Sequence, residues 1–204
     1  MKNLPNEVML EVFLQARVED LLSLMNVSQR FRQLARTTKL WNGLEISGRR
    51  IRGRETPVNL DHVSPDDVAW LFCRVSKATL WNWANDCLAS KILSNTIQER
   101  QEEVVLGKKE RIVNLEELNM SSNNLSRLDR DLLANGVVKI KKVSLAETRL
   151  TSVQLNSLSE KIVTETQLIL EDLNLRGVNL SRAKGPTLAS AVVKIKKVVL
   201  TGQR

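Results

Sequence analysis

The chain has 204 residues, 42% hydrophobic and 26% charged, with a formal net charge of +8, which allows one or two globular domains. No apolar run is long enough to span a membrane, and Met1 is followed at once by Lys2, Asn3 and Leu4-Pro5 rather than by a leader. The positive balance suits an acidic partner or nucleic acid, but 3% aromatics leaves few platforms on which bases could stack.

Residues 4–41 read as a compact helical unit. Pro5 suits a first helical turn and Glu7 sits near its positive end. Val8, Met9, Leu10, Val12, Phe13 and Leu14 make this helix apolar on almost all sides. Glu19-Asp20 opens a second helix carrying Leu21, Leu22, Leu24 and Met25. Ser28 caps a third, with Phe31, Leu34 and Ala35 on one face. Three short helices cannot hide all this surface among themselves, so an apolar face is left for a partner.

The order Leu4-Pro5-x-Glu7-Val8-x-Leu10-x-Val12-Phe13, Asp20-Leu21-x-x-Leu24-x-x-Val27-Ser28-x-x-Phe31-x-x-Leu34 and Leu40-Trp41 resembles an F-box. The resemblance covers the first fifth of the chain. It implies docking onto the Skp-type adaptor of a cullin–RING ubiquitin ligase. By the same resemblance the docking surface includes Leu4, Pro5, Leu10, Phe13, Leu14, Leu21, Leu24 and Val27, unless several of these fill the unit's own core.

From residue 42 to 114 the pattern is less regular. Trp41-x-x-Leu44-x-Ile46 followed by Ile51, and Val75, Ala78 and Leu80, fit a strand-and-turn skeleton that recurs later. Ser64-Pro65 starts a helix with Val68, Leu71 and Phe72 on one face. Leu88, Ile92, Leu93 and Ile97 recur at helical spacing, and Val104-Val105-Leu106 is open between strand and helix. The basic run Arg49–Arg54 would be a solvated loop, an import signal or a contact for an acidic or phosphorylated substrate. Trp81 and Trp83 share one face, as core fillers or ligand anchors.

From residue 115 to 204 the chain repeats itself. Leu115-Glu-Glu-Leu-Asn-Met120 is echoed by Leu170-Glu-Asp-Leu-Asn-Leu175, and Val137-Val-Lys-Ile-Lys-Lys-Val143 by Val192-Val-Lys-Ile-Lys-Lys-Val198. The apolar skeleton falls at Leu115/Leu118/Met120/Leu125, Ile140/Val143/Leu145/Leu150 and Leu170/Leu173/Leu175/Leu180, and a fourth copy begins at Ile195. Such fixed spacing predicts stacked strand–helix units. It resembles the leucine-rich repeat in its ribonuclease-inhibitor-like form, with parallel strands concave and helices convex; the customary Asn is met loosely by Asn123, Asn124 and Asn179. The expected class is therefore α/β: a leucine-rich-repeat solenoid (42–204) behind a three-helix F-box unit (1–41).

Glu116-Glu117, Lys141-Lys142, Glu171-Asp172 and Lys196-Lys197 alternate in sign between successive strands. Neighbouring rungs of opposite charge attract, which fixes the order of the units better than it stabilises them. The concave side should show Asn119, Ser121, Ser144, Ala146, Asn174, Arg176, Val199 and Thr201, with Trp81 as a further substrate contact. The skeleton breaks off after Leu200, so either the chain is a piece of a longer one or a partner covers its last strand.

His62 stands alone, without carboxylate or cysteine at ligand spacing, and no glycine loop to hold phosphate is present. Cys73 and Cys87 match no metal or redox spacing; reduced thiols in cytosol or nucleus are expected. The expectation is a non-catalytic protein without cofactor or metal, which takes a Skp-type adaptor (and through it a cullin) at one end and a protein substrate at the other. The rival reading is a repeat scaffold or enzyme inhibitor in which the N-terminal helices are only a cap. Nucleic-acid binding ranks last, because the lysine pairs face acidic rungs.

Overall fold

The computed structural model describes residues 4–41, 43–48, 50–52, 58–61, 63–81, 86–97, 103–105, 108–110 and 115–200. The chain opens with α1 (Asn6–Gln15), α2 (Val18–Leu24), α3 (Gln29–Ala35) and the single turn α4 (Thr38–Trp41). Extended backbone at Ala16 and Arg17 separates the first two helices. The Ser28 hydroxyl caps α3 by accepting the Phe31 N–H at 3.1 Å. Met9, Phe13, Val18, Leu21, Met25 and Leu34 are buried together, and the Phe13 and Phe31 rings meet edge-on at 5.8 Å. Arg30 ties α3 to the head of α1 through Asn6 Oδ1, at 3.0 Å from Nε and 2.8 Å from Nη2.

Leu40 and Trp41 are wholly buried. The Trp41 indole N–H donates to the Ala35 carbonyl at 2.7 Å, and its ring meets that of Trp70 edge-on at 6.0 Å. The Arg36 and Arg74 guanidiniums lie over Trp70, and Arg36 also reaches Asp67 at 3.2 Å. The helical unit is thus packed directly onto α5 (Pro65–Phe72).

The rest is mixed α/β. The strands are β1 (Glu45–Ser47), β2 (Arg50–Arg52), β3 (Val58–Asn59), β4 (Lys77–Thr79), a hairpin of β5 (Glu103–Val105) and β6 (Lys108–Glu110), then β7 (Glu117–Asn119), β8 (Lys142–Ser144), β9 (Asp172–Asn174) and β10 (Lys197–Val199). Eight of them form one sheet in the order β10-β9-β8-β7-β4-β1-β2-β3. From β1 to β10 through β4, β7, β8 and β9 every pairing is parallel. Parallel neighbours need crossovers; α5, α6 (Asp86–Ile97), α7 (Arg130–Val137), α8 (Ser152–Thr164) and α9 (Gly185–Lys194) lie in them. These helices pack side by side in chain order.

The parallel strands β1, β4, β7, β8 and β9 send their middle residues, Ile46, Ala78, Leu118, Val143 and Leu173, into the core, and Val198 of β10 is half-buried against it. At the α6–α7 contact, Gly136 leaves room for Leu93: a Cβ there would lie 2.8 and 2.9 Å from two of its side-chain carbons. After β7, β8 and β9 the chain turns through Ser122, Glu147 and Gly177, all at positive φ (59°, 58° and 72°).

One sequence reading changes and an open one is decided. Ile51 is not a turning residue: Gly48, at φ +60°, reverses the chain, and Ile51 pairs antiparallel with Ile46 in β2. Of the segment left open between strand and helix, Val104 and Val105 lie in β5, paired with β6 apart from the main sheet, and Leu106 is outside the described residues. Asn123, Asn124 and Asn179 also differ. Only Asn123 is buried, and its side-chain N–H groups donate to the carbonyls of Leu80 (2.8 Å) and Met120 (2.7 Å), joining two units. Asn124 and Asn179 are exposed turn residues that accept from Ser126 and Ser181. Thr148 and Val178 occupy the Asn123 position in the next two units, counted from the strand centres.

Candidate partner-binding surfaces

The helical unit closes a core of its own yet leaves an apolar stripe outside. Helix α1 turns Met9 and Phe13, four residues apart, towards α2 and α3, so Val8 and Val12 point outward, and Leu4 precedes the helix. Leu4, Val8 and Val12 are 43%, 45% and 60% exposed, and Val27 is 63% exposed. Pro5 is exposed; Leu10, Leu14 and Leu24 are half-buried at the edge of the core. Phe13 and Leu21, at 4% and 0% exposure, lie in the unit's own core rather than on its surface. Sequence reasoning had left Val8 and Val12 out of the docking set. The i, i+4 spacing of Val8 and Val12 is the signal that marks them as one stripe; Leu4 lies two residues ahead of the helix.

The second surface is the face of the sheet opposite the helices. Strand alternation puts two rows there. One row reads Glu45, Lys77, Glu117, Lys142, Asp172, Lys197 in direct register. The other reads Ser47, Thr79, Asn119, Ser144, Asn174, Val199. Glu117 is held by Lys142 at 2.7 Å and Lys77 at 3.3 Å, and Lys197 meets Asp172 at 3.2 Å. Outside the strand, Lys196 meets Glu171 at 3.0 Å. The alternation therefore starts two strands earlier than the repeat in sequence, at Glu45. The hydrogen bond from Lys142 holds the Glu117 carboxyl below its ordinary range, against a smaller upward push from burial and with help from Lys77. The same bond raises Lys142.

Asn119, Ser144 and Asn174 line a shallow trough of about 290 Å³ over these rows. Ser121 lies just beyond it, with its hydroxyl 2.9 Å from that of Ser144 and 2.6 Å from Asn119 Oδ1. Asn174 Oδ1 accepts the Arg176 N–H at 3.0 Å, which fixes the turn and leaves the Arg176 side chain exposed. Trp81 is 65% exposed and so fills no core. Its indole N–H donates to Ser122 Oγ at 3.0 Å, and that hydroxyl donates to Glu147 Oε2 at 3.2 Å. Thr201, Trp83 and His62 lie outside the described residues, as do Arg49 and Arg54 of the basic run; Arg50 and Arg52 are exposed on β2.

Chemistry is sparse elsewhere. Among the described residues no three His, Cys, Asp or Glu side chains gather to hold a metal, and no helix is long and apolar enough to cross a membrane. Cys73 is a free buried thiol, pushed up to about 12 by burial, against the pull of neighbouring Arg74 and a hydrogen bond with Asn95. A thiol so protonated is a poor nucleophile.

A search of curated proteins finds no match to this chain. Residues 1–47 match the F-box-like family: the helical unit, together with its α4 exit and β1, is an F-box-like domain.

Proposed function

We propose that this chain is a non-catalytic tethering subunit of an SCF-type cullin–RING ubiquitin ligase. The F-box-like unit docks on a Skp-type adaptor, and through it on a cullin. The strand–helix stack, which we read as leucine-rich repeats, holds a protein substrate. Holding the substrate beside a ubiquitin-loaded enzyme raises its effective concentration without chemistry by this chain. Cytosol and nucleus are where such an assembly works.

The observation that carries the reading is the exposed stripe Leu4, Val8, Val12 on a domain whose own core is already closed. An apolar stripe of this length on a small unit marks a protein contact. Pro5, Leu10, Leu14, Leu24 and Val27 extend the proposed docking surface; Phe13 and Leu21 support it from inside. Trp81, Asn119, Ser121, Ser144, Asn174 and Arg176 belong to the proposed substrate side. The test is to mix the folded chain with a purified Skp-type adaptor and look for a complex by size exclusion. A folded chain that passes the adaptor without binding overturns the reading.

The packing of Trp41 against Trp70 favours a second reading, in which the helices only cap the stack of a scaffold protein. It predicts no adaptor complex, and a stack that loses stability when residues 1–37 are removed.

A further inference from the structure

Residues 192–198 read Val-Val-Lys-Ile-Lys-Lys-Val, the same as residues 137–143, yet the two copies have different surroundings. Val138 and Leu145 are wholly buried, whereas their counterparts Val193 and Leu200 are 87% and 39% exposed. Ala134 is buried and its counterpart Ala189 is exposed. The unit that follows covers the first copy: α8 packs on α7, and β9 pairs in parallel with β8. Backbone bonds seal that contact. The Ile169 N–H donates to the Val138 carbonyl at 3.3 Å, the Glu171 N–H to the Lys141 carbonyl at 2.8 Å, and the Leu145 N–H to the Asn174 carbonyl at 2.8 Å. In the second copy β10 is an edge strand, and among the described residues no strand pairs with its outer side. The charges differ in the same way. Lys142 stands between Glu117, at 2.7 Å, and Asp172, its register partner on β9. Lys197 has Asp172 at 3.2 Å on one side and no described strand on the other.

We infer that the outer face of α9 and β10 docks a helix-and-strand element of another protein, its strand added in parallel to β10 and carrying an acidic pair where β9 has Glu171-Asp172. Identical residues present identical groups, so the occupant has the chemistry of the segment that covers the first copy. The Val193 and Lys196 carbonyls and the Leu200 N–H are the counterparts of the groups that bond to that segment. Adding a strand supplies main-chain hydrogen bonds, and the side chains supply the choice of partner. Apolar residues meet Val193 and Leu200, and carboxylates meet Lys196 and Lys197. A basic strand would set like charges opposite one another and is rejected. A second copy of this chain fits poorly. Its acidic rungs Glu117 and Asp172 lie on strands already paired on both sides, and two β10 edges brought together would face lysines with lysines. This face lies at the opposite edge of the sheet from β3, and the inference does not depend on adaptor docking.

The test uses the full chain and a fluorescein-labelled peptide of residues 151–178, the segment that covers the first copy, followed by anisotropy. A second peptide carries Glu171→Lys and Asp172→Lys. The acidic peptide binds, and the lysine peptide binds about tenfold more weakly or not at all, because like charges replace two ion pairs. Val193→Asp in the chain weakens the acidic peptide by about tenfold or more; the position is 87% exposed, so circular dichroism matches that of the parent. Trp81→Ala, on the loop after β4, leaves binding unchanged. The inference is overturned if the acidic peptide shows no binding up to about 1 mM, if both peptides bind equally well, or if Val193→Asp has no effect while Trp81→Ala abolishes binding. Sedimentation of the chain alone is read in parallel. A monomer agrees with the inference, and a dimer that Val193→Asp dissociates puts a second copy on this face and overturns it.

Discussion

The docking reading stands or falls on Val8 and Val12. Changing both to Asp alters side chains that are 45% and 60% exposed, so the fold of the unit is spared. Together they leave about 160 Å² of apolar surface in water, which at ~25 cal/mol per Å² amounts to about 4 kcal/mol if an adaptor covers it. Losing that alone weakens a complex by about a thousandfold, and two carboxylates buried without partners weaken it further. The assay is titration calorimetry of wild type and the V8D/V12D variant against a Skp-type adaptor, with thermal unfolding of the free chain as control. An affinity within threefold of wild type, at unchanged unfolding temperature, refutes the reasoning. Phe13→Asp would be a poor substitute: at 4% exposure and packed on Phe31, its loss unfolds the domain whether or not a partner exists.

Other outcomes follow from the stack. Asn123→Ala strips hydrogen bonds from the Leu80 and Met120 carbonyls, a cost of about 2–4 kcal/mol in urea unfolding. Asn123→Thr should recover about half of it, since Thr148 serves its own unit's Leu145 carbonyl in the next repeat; equal stability of Asn123→Ala and wild type would remove the link between units. Gly136→Ala gains up to about 1 kcal/mol of helix propensity but sets a Cβ within 2.9 Å of Leu93, so overpacking of about 1–3 kcal/mol wins and the melting temperature falls; a rise would show that α6 yields there. Glu117 is a depressed carboxyl, so its contribution to stability is complete at neutral pH and fades as pH drops below about 4.5, its ordinary value. Glu117→Gln should flatten the acid limb of a stability–pH curve, and an unchanged limb would mean that the ion pairs with Lys142 and Lys77 are not maintained in solution.

Local order was legible in the residues. Caps at Ser28 and Ser64 mark the helix starts where α3 and α5 begin. The skeleton at Leu118, Val143 and Leu173 marks β7, β8 and β9, and the alternating acidic and basic pairs mark rungs that meet in register. These are short-range patterns, set by a two-residue strand period and by capping hydrogen bonds. They need no knowledge of what lies across the fold.

What lies across the fold decided the rest. An α1 apolar on nearly every side gives no hint of which face is covered; α2 and α3 cover Met9 and Phe13, and that choice exposes Val8 and Val12. Ile51 looks like a turning residue until Gly48 folds it back beside Ile46. Trp81 becomes a fixed, exposed indole only because Ser122, 41 positions later, lies on the next loop. The charged row reaches back to Glu45 because β1 and β4 join the same parallel register across irregular intervening sequence. The sequence by itself therefore determined the helix starts at Ser28 and Ser64 and the period of the later strands, since both depend on neighbours in the chain. The tertiary structure alone decided which apolar side chains face water and which cations meet which carboxylates, because burial and pairing depend on segments distant in sequence.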